Sequence, residues 1–420
     1  MPDDTFDRRN FLKSAGATLA VLMSDRGLTA AALRQDPPAG PPLKVAVVGL
    51  GPWGRDILTA LARQDSLEVI GVCDTYAPAL RRAAEIAPKA EGLADWRRAL
   101  DAPGLEAVIV ATPSHQHREI AVAALQAGKH VYCEAPLATT VDETRAIADA
   151  ARSATGLVFQ SGLQGRSNAL WSHIANFVKA GVLGDPALAT AQWNRRDSWR
   201  RPGPTPEREA ALNWRLRTET SAGLPGEVGI HQFDLLARIL NGLPEAVSGA
   251  GGILAWRDGR EVPDTVEITL EFPRGVRLSY TSTLAASFAG SFAVVAGTQS
   301  SLFIREKRAW LVKEADSPLL GWEVYARKEP VMDETGIALV ADSTKILAAG
   351  GKPGEEGALE PEKEALALAL EDFVRAIREK QPPPAGILEG YQATVIAIRA
   401  HEASLAGTRI ALLPNGLIPG

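Results

Sequence analysis

The apolar positions of this chain fall first into short continuous runs and later into alternating ones. Residues 43–49 form a near-unbroken β-branched run, the pattern of a strand buried on both faces. Ile57, Leu58 and Leu61 then recur at helical spacing. Further apolar runs at 68–73, 107–111, 130–133 and 157–161 alternate with helical stretches at 119–127 and 141–153. Gly128 stops the first of these helices as a C-cap. Alternation of this kind predicts a parallel sheet with helices on both faces.

Beyond Gly162 the pattern changes. Residues 187–193, 265–271, 276–283 and 291–297 are β-rich and partly alternating, with Phe272-Pro273-Arg274-Gly275 as a turn. Residues 301–304 and 310–312 continue a meander, and 317–357, rich in Gly, Pro and charge, predict loops. Residues 362–379 and 390–405 are helical by periodicity, and Gly407 ends the last helix. No internal repeat is visible. The expected fold is α/β, a parallel-sheet domain followed by a β-rich second domain. Residues 1–42 read as an export signal and Pro-rich linker, 43–163 as the first domain, and 164–420 as the second.

The first predicted strand runs into Gly49-Leu50-Gly51-Pro52-Trp53-Gly54 and then a helix. The first glycine permits the tight turn, the second lets backbone approach a pyrophosphate, and the third lets helix and strand pack closely. The helix N-terminus favours the phosphate charge. The next strand ends in Asp74, placed to accept hydrogen bonds from both adenosine ribose hydroxyls. That acid would repel a 2′-phosphate, so NAD is expected over NADP. Arg81 and Arg82 weaken the preference slightly, unless they are merely solvated helix residues.

Composition narrows the function. The 420 residues carry 45 Lys+Arg against 50 Asp+Glu, a net charge of −5, which argues against nucleic acid as a partner. Two cysteines cannot form a disulfide framework or a Cys-rich metal centre. None of the six histidines sits in a helical metal-binding pattern, so no metal is expected. No apolar run reaches the roughly 20 residues of a spanning helix. Asp7-Arg8-Arg9-Asn10-Phe11-Leu12-Lys13, a short apolar stretch and Ala30-Ala31-Ala32 have the order of an export signal. The paired arginines resemble a twin-arginine signal, although Asp7 stands where Ser or Thr is usual. This predicts a periplasmic or other extracytoplasmic location.

The second half offers candidate chemistry between Arg195 and Asp234. His231 and Asp234, three apart on a helix, share one face: an imidazole to take an alcohol proton, and a carboxylate to orient it or hold a sugar hydroxyl. A buried, hydrogen-bonded histidine capping a helix is the plainer alternative. Gly229 would let substrate approach the backbone. Asn194, Arg195 and Arg196 follow a strand, and Trp193, Trp199 and Trp214 interleave with Arg200, Arg201, Arg215 and Arg217. Indole faces suit sugar C–H faces and guanidinium forks suit carboxylates or hydroxyls. The same residues could instead be stacked Trp–Arg pairs that stabilise a subunit contact.

Several motifs in order carry a family resemblance. They are Gly49-x-Gly51-x-x-Gly54, Ala111-Thr112-Pro113-x-x-x-His117, the run from Ala127 through Glu134-Ala135-Pro136-Leu137, Gly162-Leu163-Gln164-Gly165-Arg166, and Gly229-Ile230-His231-Gln232-Phe233-Asp234. Together they resemble the Gfo/Idh/MocA oxidoreductases. The resemblance implies an N-terminal NAD-binding Rossmann domain over 43–163, then an α/β substrate and oligomerisation domain with a large open, mostly antiparallel sheet over 164–420. It implies NAD-dependent hydride transfer on a sugar, polyol or related carbohydrate, and a homo-oligomer joined through the open sheet face. It places Thr112, Pro113 and His117 along the nicotinamide half of the cofactor, Glu134 at the nicotinamide end with Gln164 crossing above, and Glu227 where relatives often carry an acid. Trp53 joins the cofactor-binding set through its place in the glycine turn. The family usually has Glu-Lys-Pro, with a catalytic lysine; here that position is Ala135, which has no proton to give. Two alternatives to a dehydrogenase follow. One is an NAD-dependent glycosidase that oxidises, eliminates, hydrates and returns the hydride, with no net redox change. The other is a protein that binds NAD and sugar without turnover.

Overall fold

The computed structural model of the chain describes residues 39–305, 308–319, 323, 326–339 and 364–419. The export signal read from residues 1–38 lies outside these. The chain divides into two compact units. One comprises 36–168, 191–291 and 363–420; the other includes 169–190 and 292–362.

In the larger unit the strands β1 (Leu43–Val48), β2 (Leu67–Cys73), β3 (Glu91–Leu93), β4 (Ala107–Val110), β5 (His130–Cys133) and β6 (Phe159–Ser161) form a sheet of order β3-β2-β1-β4-β5-β6. Every adjacent pair is parallel. This is the doubly wound arrangement of a Rossmann fold, whose crevice lies where the strand order reverses, beside β1 and β4. The helices between them are α1 (Pro52–Leu61), α2 (Ala77–Ile86), α3 (Trp96–Leu100), α4 (His117–Gln126) and α5 (Val141–Ser153). The continuous apolar strands have the predicted consequence: Val45, Val47, Val108, Ile109 and Val131 are fully buried.

One core of this sheet is completed from far along the chain. Of the two late helices, α9 (Ala365–Glu379) and α10 (Ile387–Ala406), the former puts Ala369, Leu370, Phe373 and Val374 into the core with Val45, Ile57 and Tyr132. Gln160 Nε2 donates to the Ala369 carbonyl at 2.7 Å, and Phe373 meets Tyr132 edge-on. Cys73 and Cys133 end β2 and β5, two strands apart, and both are free.

The same unit holds β8 (Ala246–Gly252), β9 (Thr265–Glu271), β10 (Arg277–Thr283) and β16 (Ile410–Ala411), paired antiparallel in the order β10-β9-β8-β16. Strand β8 carries no alternation and went unpredicted. Its glycines are there for fit: a Cβ on Gly249 would meet Ile268 Cδ1 at 2.6 Å. In the smaller unit, β11 (Ser291–Gly297), β12 (Ser300–Arg305), β13 (Arg308–Lys313), β15 (Glu334–Leu339) and β14 (Lys328–Val331) pair antiparallel in that order. The last two correct the expectation of loops across 317–357: Pro330 and Gly336 hid a short edge hairpin, which tolerates such residues. No described helix is long and apolar enough to cross a membrane.

Candidate functional site

The glycine turn does three separate jobs. Gly49 has φ +95°, and a Cβ there would lie 2.6 Å from the backbone of Ala111 and Thr112. A Cβ on Gly54 would lie 1.9 Å from the Gly49 carbonyl oxygen. Around Gly51, at the N-cap of α1, a Cβ would meet nothing within 4 Å. Two glycines therefore bring backbones together, and the third keeps space open at a helix N-terminus, where a pyrophosphate is favoured. Asp74 is fixed by backbone: Oδ2 accepts from Leu50 N–H at 2.9 Å and Oδ1 from Tyr76 N–H at 2.8 Å. A carboxylate keeps further lone pairs for ribose hydroxyls. Arg81 and Arg82 are exposed on α2. Thr112 Oγ1 is buried with no partner, as a side chain awaiting a ligand would be. Gly51, Asp74 and Thr112 thus fit a bound NAD.

The His117 ring is buried, with Nδ1 2.9 Å from the Pro136 carbonyl oxygen and Nε2 2.9 Å from that of Thr112. Both nitrogens are taken by backbone, so the ring braces the turn after β4 against the 134–137 segment and keeps no ring nitrogen for a ligand. Burial drives its pKa down to about 4, although both carbonyls act the other way.

Glu134 lies buried at the end of β5. Gln164 Nε2 donates to both its oxygens at 3.1 Å, and the Trp53 indole also hydrogen-bonds it. A Cβ on Gly162 would lie 2.4 Å from Glu134 Oε2, so glycine is required there. Burial pushes the Glu134 carboxyl up to about 7 despite these donors. Trp53, Glu134 and Gln164, predicted separately, are one cluster.

The opposite group is carried by a π-helical turn, Pro225–Gly229, leading into α8 (Ile230–Ile239); α6 (Ala169–Lys179), β7 (Pro186–Asn194) and α7 (Pro206–Leu212) come earlier in the chain. Glu227 sits in that turn with its side chain 3% exposed. Its Oε1 accepts from Ser114 and Ser221 hydroxyls at 3.4 Å, and its Oε2 from Arg215 Nε at 3.3 Å. Ser114 lies four residues past the end of β4, in the loop at the Rossmann crevice, so Glu227 is adjacent to that loop. Burial raises the Glu227 pKa and Arg215 opposes it. Trp214 stacks under Arg215 and lies 6.1 Å from the His115 ring.

Asp234 is not a free partner for His231. Arg166 Nε donates to both its oxygens, at 3.0 and 2.9 Å, and Nη2 to Oδ1 at 2.6 Å. This ion pair is mostly buried. His231 itself is exposed, yet desolvation lowers its pKa, with the Asp234 charge acting the other way. Gly229 also differs from expectation: its missing side chain admits the rings of Phe233 and Tyr280, at 3.0 and 3.2 Å from a Cβ, and not a substrate.

Trp193, Arg195 and Arg196 close β7. Arg195 N–H donates to the Thr283 carbonyl, and Arg196 reaches Ala285, Ser287 and the Trp256 ring. Gln232 Nε2 donates to the Gln192 carbonyl at 3.1 Å, which sets this strand end beside α8. Sequence reasoning missed Ser114, Ser221 and the roles of Arg166 and Arg215. Arg166 stood in the quoted motif two residues from Gln164; one short turn, Gln164–Ser167, holds both Glu134 and Asp234. Among the described residues, no cluster of His, Cys, Asp and Glu could hold a metal.

The profile of the oxidoreductase family with an NAD-binding Rossmann fold matches residues 43–162, and that of the GFO/IDH/MocA C-terminal domain matches 171–303. The chain belongs to the Gfo/Idh/MocA family. Its nucleotide-binding domain is the family's NAD-binding Rossmann domain. A levoglucosan dehydrogenase of Pseudarthrobacter phenanthrenivorans is 32% identical over 155 residues, 37% of each chain. A 2,7-anhydro-N-acetylneuraminate hydratase of Escherichia coli is 26% identical over 284 residues, 62% of this chain and 67% of that one. The chain spans about half the length of the first curated relatives it matches. A solved levoglucosan dehydrogenase in complex with NADH shares the fold, with a TM-score of 0.72 and 22% identity over 88% of this chain and 99% of that one.

Proposed function

We propose that this member of the Gfo/Idh/MocA family is an NAD-dependent oxidoreductase acting on a sugar, polyol or glycoside. The observation that carries the reading is the buried Glu227 carboxyl held through Ser114 against the loop that follows β4. A buried carboxyl beside the crevice of an NAD cradle supports chemistry on a bound substrate there. The family relatives named for sugar substrates support the substrate class.

Bound NAD supplies the hydride acceptor. The protein's residues handle the proton. Ala135 contributes none, so the alcohol proton passes to His231, whose lowered pKa keeps the ring neutral and able to accept it near pH 7. Glu227, its pKa raised by burial and opposed by Arg215, is the second acid of the site. Asp234, locked to Arg166, positions α8. The alcohol would lose a hydride and a proton and become a carbonyl, with the proton left on His231.

Ala135 also favours a second reading, a glycosidase that returns the hydride. NAD-loaded protein offered free sugars and aryl glycosides separates the two: steady absorbance growth at 340 nm marks the dehydrogenase, and aglycone release without it marks the glycosidase. The absence of both responses overturns both readings. We also propose export as a folded, cofactor-loaded protein, read from Arg8 and Arg9, and a homo-oligomer; NAD released on denaturing the secreted protein and light scattering test these.

A further inference from the structure

The cation that pairs with Glu227 is only partly used. Arg215 lies in a short turn, Trp214–Leu216. Its guanidinium carbon is 4.4 Å from the Trp214 ring centroid and 5.9 Å from that of Trp199. Stacking engages the faces of the guanidinium and leaves its in-plane N–H groups free to bond. Nε is spent inward on Glu227. Among the described residues the two Nη groups donate to no protein acceptor, and the side chain is 45% exposed against 3% for Glu227.

The surrounding loop is built to hold this geometry. Trp199 has φ +62°, an uncommon conformation for a bulky residue. Asp197 accepts its N–H at 2.9 Å and is itself paired with Arg201. Asn213, next to Trp214, bonds Arg201 N–H through Oδ1 and the Arg201 carbonyl through Nδ2. Arg260, almost buried and paired with Asp258, bonds the Ser198 carbonyl. The two indoles that flank Arg215 are thus fixed from several directions, and its outward edge is pre-organised. A planar pair of N–H donors matches the two oxygens of a carboxylate, and a neutral hydroxyl cannot occupy both donors equally well.

We propose that Arg215 is the specificity-determining residue for sugar substrates that carry a carboxylate, such as uronic or aldonic acids, which it binds through its Nη edge while Nε stays on Glu227. This rests on the sugar-oxidoreductase reading above.

The test titrates NAD-loaded protein with D-glucuronate, D-galacturonate, D-mannuronate and D-gluconate, each against its neutral counterpart, and with glucose 6-phosphate, following tryptophan fluorescence. At least one acid is expected to bind tenfold or more tightly than its neutral partner and than the phosphate. Arg215→Gln should bring that ratio close to one, and Arg215→Lys, which keeps the charge without the fork, should fall between. No preference for any acid, a preference for the phosphate, or a preference that survives in Arg215→Gln overturns the proposal. The wild-type ratio decides the matter even where a variant folds poorly. Turnover of the same ligands separates the two readings: acids bound tightly but never oxidised or cleaved refute the oxidoreductase and keep Arg215, whereas neutral sugars oxidised without preference do the reverse.

Discussion

Between Gly49 and Asp74 the site is shaped by backbone: glycines that let chains touch, and a carboxylate pinned by two N–H groups. Between Glu227 and Asp234 it is shaped by side-chain pairs brought from elsewhere, Arg215 on one acid and Arg166 on the other. The first kind of site tolerates almost any neighbour but no added atom. The second tolerates small changes in shape but not the loss of a charge, because removing one partner leaves the other buried and unpaired. The contrast sets how each region should fail.

The sharpest break is expected at Gly54→Ala. A Cβ 1.9 Å from a backbone oxygen cannot be relieved by a rotamer, so NAD binding should fall below detection and thermal stability should drop. Gly51→Ala, with open space around it, should cost NAD affinity while leaving the melting temperature nearly unchanged. Calorimetric titration and thermal melts of the two variants separate closeness of backbone from room for a ligand. Should both variants melt alike and bind alike, the division of labour among the glycines is wrong.

In the second region, Arg166→Met should cost about 3–5 kcal/mol by stranding the Asp234 carboxylate. Arg166→Met combined with Asp234→Leu should recover a large part of that loss. Melting and denaturant curves check this. A single variant as stable as the parent would show that the pair holds nothing.

Glu134 belongs to both regions and has a pH signature. Its carboxyl is raised from the ordinary 4.5 to about 7, so the folded state holds the proton more tightly than the unfolded chain. The stability this gives is fully present below about pH 4.5 and is lost as the pH rises through about 7. Glu134→Gln keeps the shape and removes the charge. Measured in cofactor-free protein, it should be more stable than the parent at pH 8.5 by up to about 3 kcal/mol, with the difference vanishing near pH 4. A difference independent of pH would show that Glu134 is already ionised across this range.

The same contrast explains what could be read from the sequence. The cradle depends on near neighbours, so Gly49, Gly51, Gly54 and Asp74 announced it, and strands such as His130–Cys133 fall where the apolar runs put them. Strand β8 was invisible because its glycines answer to Ile268 and Pro263 on other segments. His117 was given to the cofactor because its motif lies there; only folding shows both ring nitrogens taken by backbone. The His231–Asp234 spacing put both on one helix, but Arg166, 68 residues earlier, claims the carboxylate. Local spacing says which residues share a face. It does not say which distant charge will arrive to pair with them.

The central claim is that proton transfer in this NAD-dependent site has moved off the absent lysine and onto His231. Single-turnover absorbance at 340 nm, with NAD-loaded parent and His231→Ala given the same oxidisable sugar, tests it directly. The account predicts hydride transfer slowed about 10²–10⁴-fold in the variant, with NAD affinity kept. Transfer at the parental rate in His231→Ala would contradict it.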